Sequence, residues 1–357
     1  MRMRTLVLYL NTSMARAILL PLAGLAMLAL AIELREKAAS LLAFGGAEAL
    51  LLYALLALPE LVVTVAPIAL LAGAVLGFAI LARRGEAVIL RAAGLGTLQI
   101  GTALLPLGIA LGAALHLLDD RLVPFAAEQR AAAFGALDAE EGKARVVWLR
   151  APGWVIRAQP LNSDGTVLGA LTVFGLGPDG ALQRRVDARL AEHQGGTWRL
   201  SDAVETVVGA ARSDERALPQ APAVWHSALV PEDVRALLGN ESMLSRADAE
   251  AAMAGERLAT EPRSVYEMRA AYALSMAAMP MVLILLACPV ILGSGRSTVA
   301  LVTATIGAAG LGLAFVMGKG LAVALGEKGV LEPEVAAWAP ILVATLLGLW
   351  AVLRAEG

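Results

Sequence analysis

The sequence predicts a helical membrane protein with an all-β domain inserted at its middle. Residues from about Ala15 to Leu118 and from about Tyr272 to Leu353 are apolar and helix-forming. Between them, Asp119 to about Met268 carries charges, turn signals and alternating strands. The composition agrees: 58% of the 357 residues are hydrophobic and 17% charged, with mean hydropathy +0.70, which belongs to the membrane class. A net charge of −2 and the lack of any basic, aromatic-interleaved tract give no electrostatic footprint for nucleic acid.

A helix needs about 20 apolar residues to cross the hydrocarbon core. The first span is Ala15–Ile32, with Arg16 placed to snorkel at its start. Basic residues precede it, as in a signal peptide, but the run is longer than an h-region and no small-residue cleavage site follows. It reads as a retained signal-anchor helix. The apolar stretch Leu50–Leu81 is too long for one upright span, and Pro59 and Glu60 divide it. Leu50–Leu58 is then an interfacial helix and Leu61–Leu81 the second span. The third is about Leu98–Leu118, the fourth Ala273–Leu292, the fifth Val299 to about Val323 and the sixth Ala336–Leu353. Six spans are expected, three on each side of the insert.

Orientation follows from lysine and arginine in the short connectors. Arg2, Arg4, Arg83, Arg84, Arg91, Arg296 and Arg354 fall on one side. Arg35, Lys37, Lys319 and Lys328 fall on the other, diluted by Glu33, Glu36, Glu327, Glu332 and Glu334. Both termini are therefore expected in the cytoplasm and the insert outside it. The lone Cys288 lies in an apolar run, so no disulfide can form within the chain.

The insert reads as β. VVWLR, GWVIRAQ, VLGALTVFGL, QRRVDARLAEHQ and TWRLSDAVETVV are short alternating runs, broken by APG, NSDG, GPDG and QGG. That spacing fits a sandwich, a jelly roll or a curved sheet. Leu122–Asp138 and Pro231–Leu258 have helical composition and connect the sheet to spans three and four.

Catalytic and metal motifs are absent from the pattern. His116, His193 and His226 have no ligand spacing, so no metal or cofactor is expected. GSGRST, Gly293–Thr298, lacks the lysine and spacing of a phosphate-binding loop and reads as a turn between spans. The most pointed feature is the connector ARRGEAVILRAAGLG, Ala82–Gly96. Glu86 to Ala93 can form two helical turns, with Glu86 at the positive helix end and Gly85 and Gly94 as breakers. Such a helix can dock a soluble partner, or the segment can be a basic loop that fixes topology. Gly73 and Gly77 form a G-x-x-x-G in span two, and Gly307, Gly310, Gly312 and Gly318 punctuate span five, so close helix packing is expected at both. Lys319, late in span five, is either a contact to an anionic headgroup or a charge that snorkels outward. Arg35 and Lys37 admit the same two readings.

Three segments resemble one family. LPELVVTVAPIALLAGAVLGFAILARRGEAVILRAAG (Leu58–Gly94) has spaced prolines, an L-x-G-x-x-x-G run and an acid in the cytoplasmic helix before A-A-G. MPMVLILLACPVILG (Met279–Gly293) resembles its proline-started fourth span. LGEKGVLEPEVAAWAPILVATLLGLW (Leu325–Trp350) carries G-x-x-x-P…A-A-W-x-P. Together they look like the lipopolysaccharide-export permeases LptF/LptG (YjgP/YjgQ), with the last segment closer to the LptG branch. Glu33 and Glu36 among Arg35 and Lys37 depart from the family's connector after span one.

The resemblance implies six transmembrane helices (3+3) flanking a periplasmic β-jellyroll-like domain. Residues 1–118 would hold spans one to three with a coupling helix at about 84–94, residues 119–268 the periplasmic domain, and residues 269–357 spans four to six. It implies a transport subunit of the bacterial inner membrane, without its own catalysis. An LptB-like cytoplasmic ATPase dimer would grip Glu86, supported by Arg83, Arg84 and Arg91. An LptF-like sister permease would pair with the chain, and lipopolysaccharide would pass to single-span LptC-like and periplasmic LptA-like β-jellyroll proteins. Arg35, Lys37 and Lys319 would meet the lipid headgroup. Two other classes compete: a mechanotransmitting scaffold that moves no lipid, and an envelope-lipid enzyme. The scaffold usually has four spans, and the enzyme needs an acid, base or metal cluster at a span end.

Overall fold

The computed structural model describes residues 3–140, 146–207 except 152, 163–164 and 178–180, then 214–217, 223–225, 229–231, 234, 244–254, 262–293 and 298–356. It is mostly helical, with an antiparallel sheet inserted mid-chain. The helices are α1 (Met3–Arg83), α2 (Glu86–Ala92), α3 (Thr97–Thr102), α4 (Leu105–Leu117) and α5 (Val123–Glu140), then α6 (Arg246–Ala254), α7 (Arg263–Ala287), α8 (Thr298–Glu327) and α9 (Pro333–Glu356). A π-helical turn, Leu118–Leu122, joins α4 to α5, and a 3₁₀ turn, Cys288–Gly293, follows α7. Among the described residues, four helices are long and apolar enough to cross a membrane: α1, α7 with its 3₁₀ extension, α8 and α9.

The chain forms two compact units. One comprises Met1–Glu36, Ala57–Val123 and Glu267–Gly357; the other comprises Lys37–Leu56 and Pro124–Tyr266.

The expected spans one and two both fall in α1. The expected connector after Ile32 and the expected division of Leu50–Leu81 at Pro59 are both helical, and the non-helical break is at Gly45–Gly46, where Gly46 takes φ 67°, ψ −151°. A proline costs a helix one hydrogen bond and a local clash, whereas that φ/ψ region is open essentially to glycine alone. The expected third span is also discontinuous. Pro106 lacks an N–H to continue α3, so the chain breaks at Ala103–Leu104 and restarts as α4.

Glycines set the closest helix approaches. A Cβ at Gly73 would collide with the Ile18 backbone, and one at Gly77 with the Met14 thioether, so the two ends of α1 lie against each other there. Between α4 and α7, Gly108 faces Met281, Gly112 faces the Ala277 carbonyl and His116 faces Ala273. As one number rises the other falls, so the two helices run antiparallel in fixed register. In α8 a Cβ on Gly312 would meet Leu71 and one on Gly326 would meet Met268 of α7 and Ala336 of α9, whereas one on Gly307, Gly310 or Gly318 would touch no described residue. The close packing expected along span five is therefore confined, within this chain, to Gly312.

The second unit holds one eight-stranded antiparallel sheet. Its strands are β1 (Val147–Ala151), β2 (Trp154–Pro160), β3 (Val167–Leu176), β4 (Leu182–Gln194), β5 (Thr197–Ser201), β6 (Val204–Val207), β7 (Asp214–Ala217) and β8 (Ala223–Trp225). The order is β1-β2-β3-β4-β5-β8, with β6 between β4 and β7. The turn signals sit where glycine is needed: Gly153, Gly165, Gly195 and Gly196 all have positive φ. Strand β4 divides its partners, pairing β5 through Leu190–Gln194 and β6 through Arg184–Asp187. Its core is Ile156, Ala158, Leu171, Val173, Trp198 and their neighbours. Buried Trp198 donates its indole N–H to the Leu229 carbonyl at 2.8 Å, so its polar atom is satisfied as burial requires. Helix α5 matches the expected Leu122–Asp138 segment. Of Pro231–Leu258, Arg246–Ala254 is helical as α6 and most of the remainder lies outside the described residues.

Candidate functional site: the α2 helix and buried charges

The connector singled out in the sequence folds as the short helix α2. Gly85 (φ 74°) precedes it and Gly94 (φ 85°) follows, so both breakers occupy the left-handed region that disfavours any side chain. Ala87 is buried, whereas Val88 and Ile89 are 44% and 69% exposed. These two apolar side chains face outward beside the charged residue rather than into a core.

Glu86 opens the helix, where the free N–H groups favour a carboxylate. Its Oε2 accepts a hydrogen bond from the Tyr9 hydroxyl at 2.9 Å, and Arg84 Nη1 lies 3.8 Å from its Oε1. Arg83 and Arg91 are exposed on the flanks of α2. The structure thus brings Arg84 to Glu86.

Sequence reasoning missed Tyr9 and Asn11, which tie the start of α1 to this region. Asn11 Nδ2 donates to the Ala103 carbonyl at 2.8 Å and to the Val7 carbonyl at 2.7 Å. Its Oδ1 accepts from the Leu107 backbone N–H at 3.0 Å. Ala103 and Leu107 flank the α3–α4 break, so Asn11 satisfies backbone groups that the break orphans. A polar amide among apolar helical residues was the available signal.

The expected headgroup residues sit in different settings. Arg35 is exposed. The Lys37 ammonium lies 5.2 Å from the Tyr53 ring centroid, and the Arg130 guanidinium lies 5.8 Å from the same ring. Phe134 meets Tyr53 edge-on at 5.6 Å. Sequence reasoning did not single out Arg130, because its neighbour Lys37 is far away along the chain.

Lys319 does not snorkel. It is 4% exposed, with Nζ 4.6 Å from the Tyr272 ring centroid. Among the described residues, that nitrogen has no hydrogen-bond partner. One and two turns along α7 from Tyr272 and α4 from its glycines lies an ion pair. Asp119, 5% exposed on the π-helical turn, meets Arg269 with Nη1 2.9 Å from its Oδ2. The aligned hydrogen bond runs instead from Arg269 Nη2 to the Asp119 carbonyl, at 3.1 Å. His116 completes the register: its Nδ1 is 2.8 Å from the Ala273 carbonyl, and since a carbonyl only accepts, Nδ1 is the donor.

The other histidines lie elsewhere. His193 packs edge-on against Trp198 at 5.1 Å, and His226 is outside the described residues, as is most of Gly293–Thr298. Among the described residues no three His, Cys, Asp or Glu side chains gather as metal ligands.

A family model described as the lipopolysaccharide export system permease LptF/LptG matches residues 8–354. The chain belongs to the LptF/LptG family. No curated protein matches it. Membership makes it a permease of the lipopolysaccharide export system, in a family of inner-membrane transport proteins rather than enzymes. The family model covers both branches together, so placement in the G branch rests on the Leu325–Trp350 pattern alone.

Proposed function

We propose that this chain is the permease half that takes lipopolysaccharide from the inner membrane and passes it to its own β domain, then to a periplasmic bridge. In this reading it has six spans, three on each side of a jellyroll-like domain, with span three formed by α3, α4 and the π-helical turn. Both termini are cytoplasmic and the β domain is periplasmic. An LptB-like ATPase dimer, separate from this chain, grips α2; an LptF-like sister permease completes the lateral opening. The LptC-like and LptA-like proteins receive the lipid.

One observation carries the proposal: α2 is a two-turn helix held between left-handed glycines, with Glu86 at its positive end and Val88 and Ile89 outward. Closure of an ATPase on such a face moves a rigid handle, and the Tyr9 contact transmits that movement to α1. Arg35, Lys37 and Lys319 are the proposed headgroup contacts. The geometry adds Arg130, which shares the Tyr53 ring with Lys37.

Glu86→Ala in the reconstituted complex tests the coupling role. The expected result is weakened ATPase association, or ATP hydrolysis that no longer drives export. Wild-type binding and transport in that variant would sink it. Photocrosslinkers at positions 35, 37, 130 and 319 separate permease from scaffold, since a scaffold gives no lipopolysaccharide adduct at any of the four.

A further inference from the structure

Lys319 combines three properties that rarely coincide in a membrane helix. It is charged, it is buried, and its ammonium finds no hydrogen-bond acceptor among the described residues. The Tyr272 ring compensates in part, offering its negative face at 4.6 Å. One turn from Tyr272 on the same face of α7, Arg269 pairs with Asp119.

The helix carrying Lys319 is the least enclosed of those long enough to span. Of its most apolar stretch 17% is buried, against 67% for α7. Lys319 lies eight residues before the end of α8 (319 to 327), about 12 Å at the helical rise of ~1.5 Å per residue. The close contacts of α8 lie on either side of Lys319, Gly312 against Leu71 and Gly326 against Met268 of α7, so a separation that opened the Gly326 contact would carry the ammonium off the Tyr272 ring, while the glycine-set register of α4 on α7 stayed intact.

We propose that Tyr272 is a positioning residue that stores the Lys319 ammonium inside the bundle, and that the ammonium becomes available to an anionic group only when α8 parts from α7. The inference rests on the permease reading for its purpose, since a lipid phosphate is the anion it would serve, but not for the storage itself.

The test measures acetylation of Lys319 by a small amine-reactive reagent, read by mass spectrometry on the full transporter complex in lipid nanodiscs. Exposed Lys328 is the internal reference. At rest, Lys319 is expected to react at least about tenfold more slowly than Lys328, because a side chain buried against a ring is closed to the reagent. Tyr272→Leu should remove most of that protection, whereas Tyr272→Phe, which keeps the ring, should retain it. Adding ATP and magnesium should speed labelling in the wild type. Resting Lys319 as reactive as Lys328, or protection unchanged in the Leu variant, overturns storage. Protection that persists through turnover overturns the release step. A lipid crosslink that fails at position 319 while this labelling pattern holds would instead reject the headgroup role alone.

Discussion

Helices α7 and α8 are both long, apolar and adjacent in the chain, yet they are held in opposite ways. Helix α7 lies against α4 through Gly108, Gly112, His116 and Asp119, each matched to one partner in antiparallel register. Helix α8 packs closely only at isolated points, Gly312 on Leu71 and Gly326 on Met268 and Ala336, and among the described residues Gly307, Gly310 and Gly318 face nothing. Small residues allow close approach without demanding it. What fixes α7 is the polar end of the ladder, where a buried ion pair makes every other register expensive.

The largest expected effect comes from breaking that end. Asp119→Ala leaves Arg269 buried without its carboxylate, which costs about 3–5 kcal/mol in a buried pair. Since the Arg269 side chain retains some exposure, 14%, the lower part of that range is expected. Thermal unfolding of the purified protein should show the loss, and the double variant Asp119→Asn, Arg269→Gln should recover part of it because no lone charge remains. A double variant as unstable as Asp119→Ala would mean that the pair holds no register.

That dependence explains what could and could not be read from sequence. Helix α2 was legible because its limits are local: positive φ at Gly85 and Gly94 is a demand that the residue type itself announces. The strands were legible because alternation and turn glycines are also local. The division expected at Pro59 is absent because α1 runs through that proline, while the break at Gly45–Gly46, which was not singled out, uses a conformation open to glycine. Lys319 could be picked out as odd, but its burial could not be foreseen, because Tyr272 reaches it from another helix. Asn11 is the same case: its partners at Ala103 and Leu107 exist only because Pro106 breaks a helix remote in sequence.

A smaller effect is expected midway along the ladder. Gly112→Ala places a methyl group against the Ala277 carbonyl, and a backbone atom cannot move aside as a side chain can. Overpacking of this kind costs about 1–3 kcal/mol. Unfolding of the variant in detergent should show that loss, with Gly108→Ala milder because the flexible Met281 side chain, 2.6 Å from the added carbon, can rotate away.

The smallest effect, and one of opposite sign, belongs to α8. Gly310→Ala meets no atom in this chain, so the substitution changes only the helix itself. Alanine favours a helix over glycine by about 0.8–1.0 kcal/mol in water, and the gain within an already formed apolar helix should be smaller. The purified chain should therefore be unchanged or slightly more stable, where the same substitution at Gly112 destabilises it. If Gly310→Ala instead costs as much as Gly112→Ala in the isolated chain, α8 is packed as tightly as α7 and the contrast between them fails. If the isolated chain is untouched but the assembled transporter loses stability, the open glycines of α8 are used only in the assembly. The two helices would then differ in which partner fixes them rather than in whether anything does.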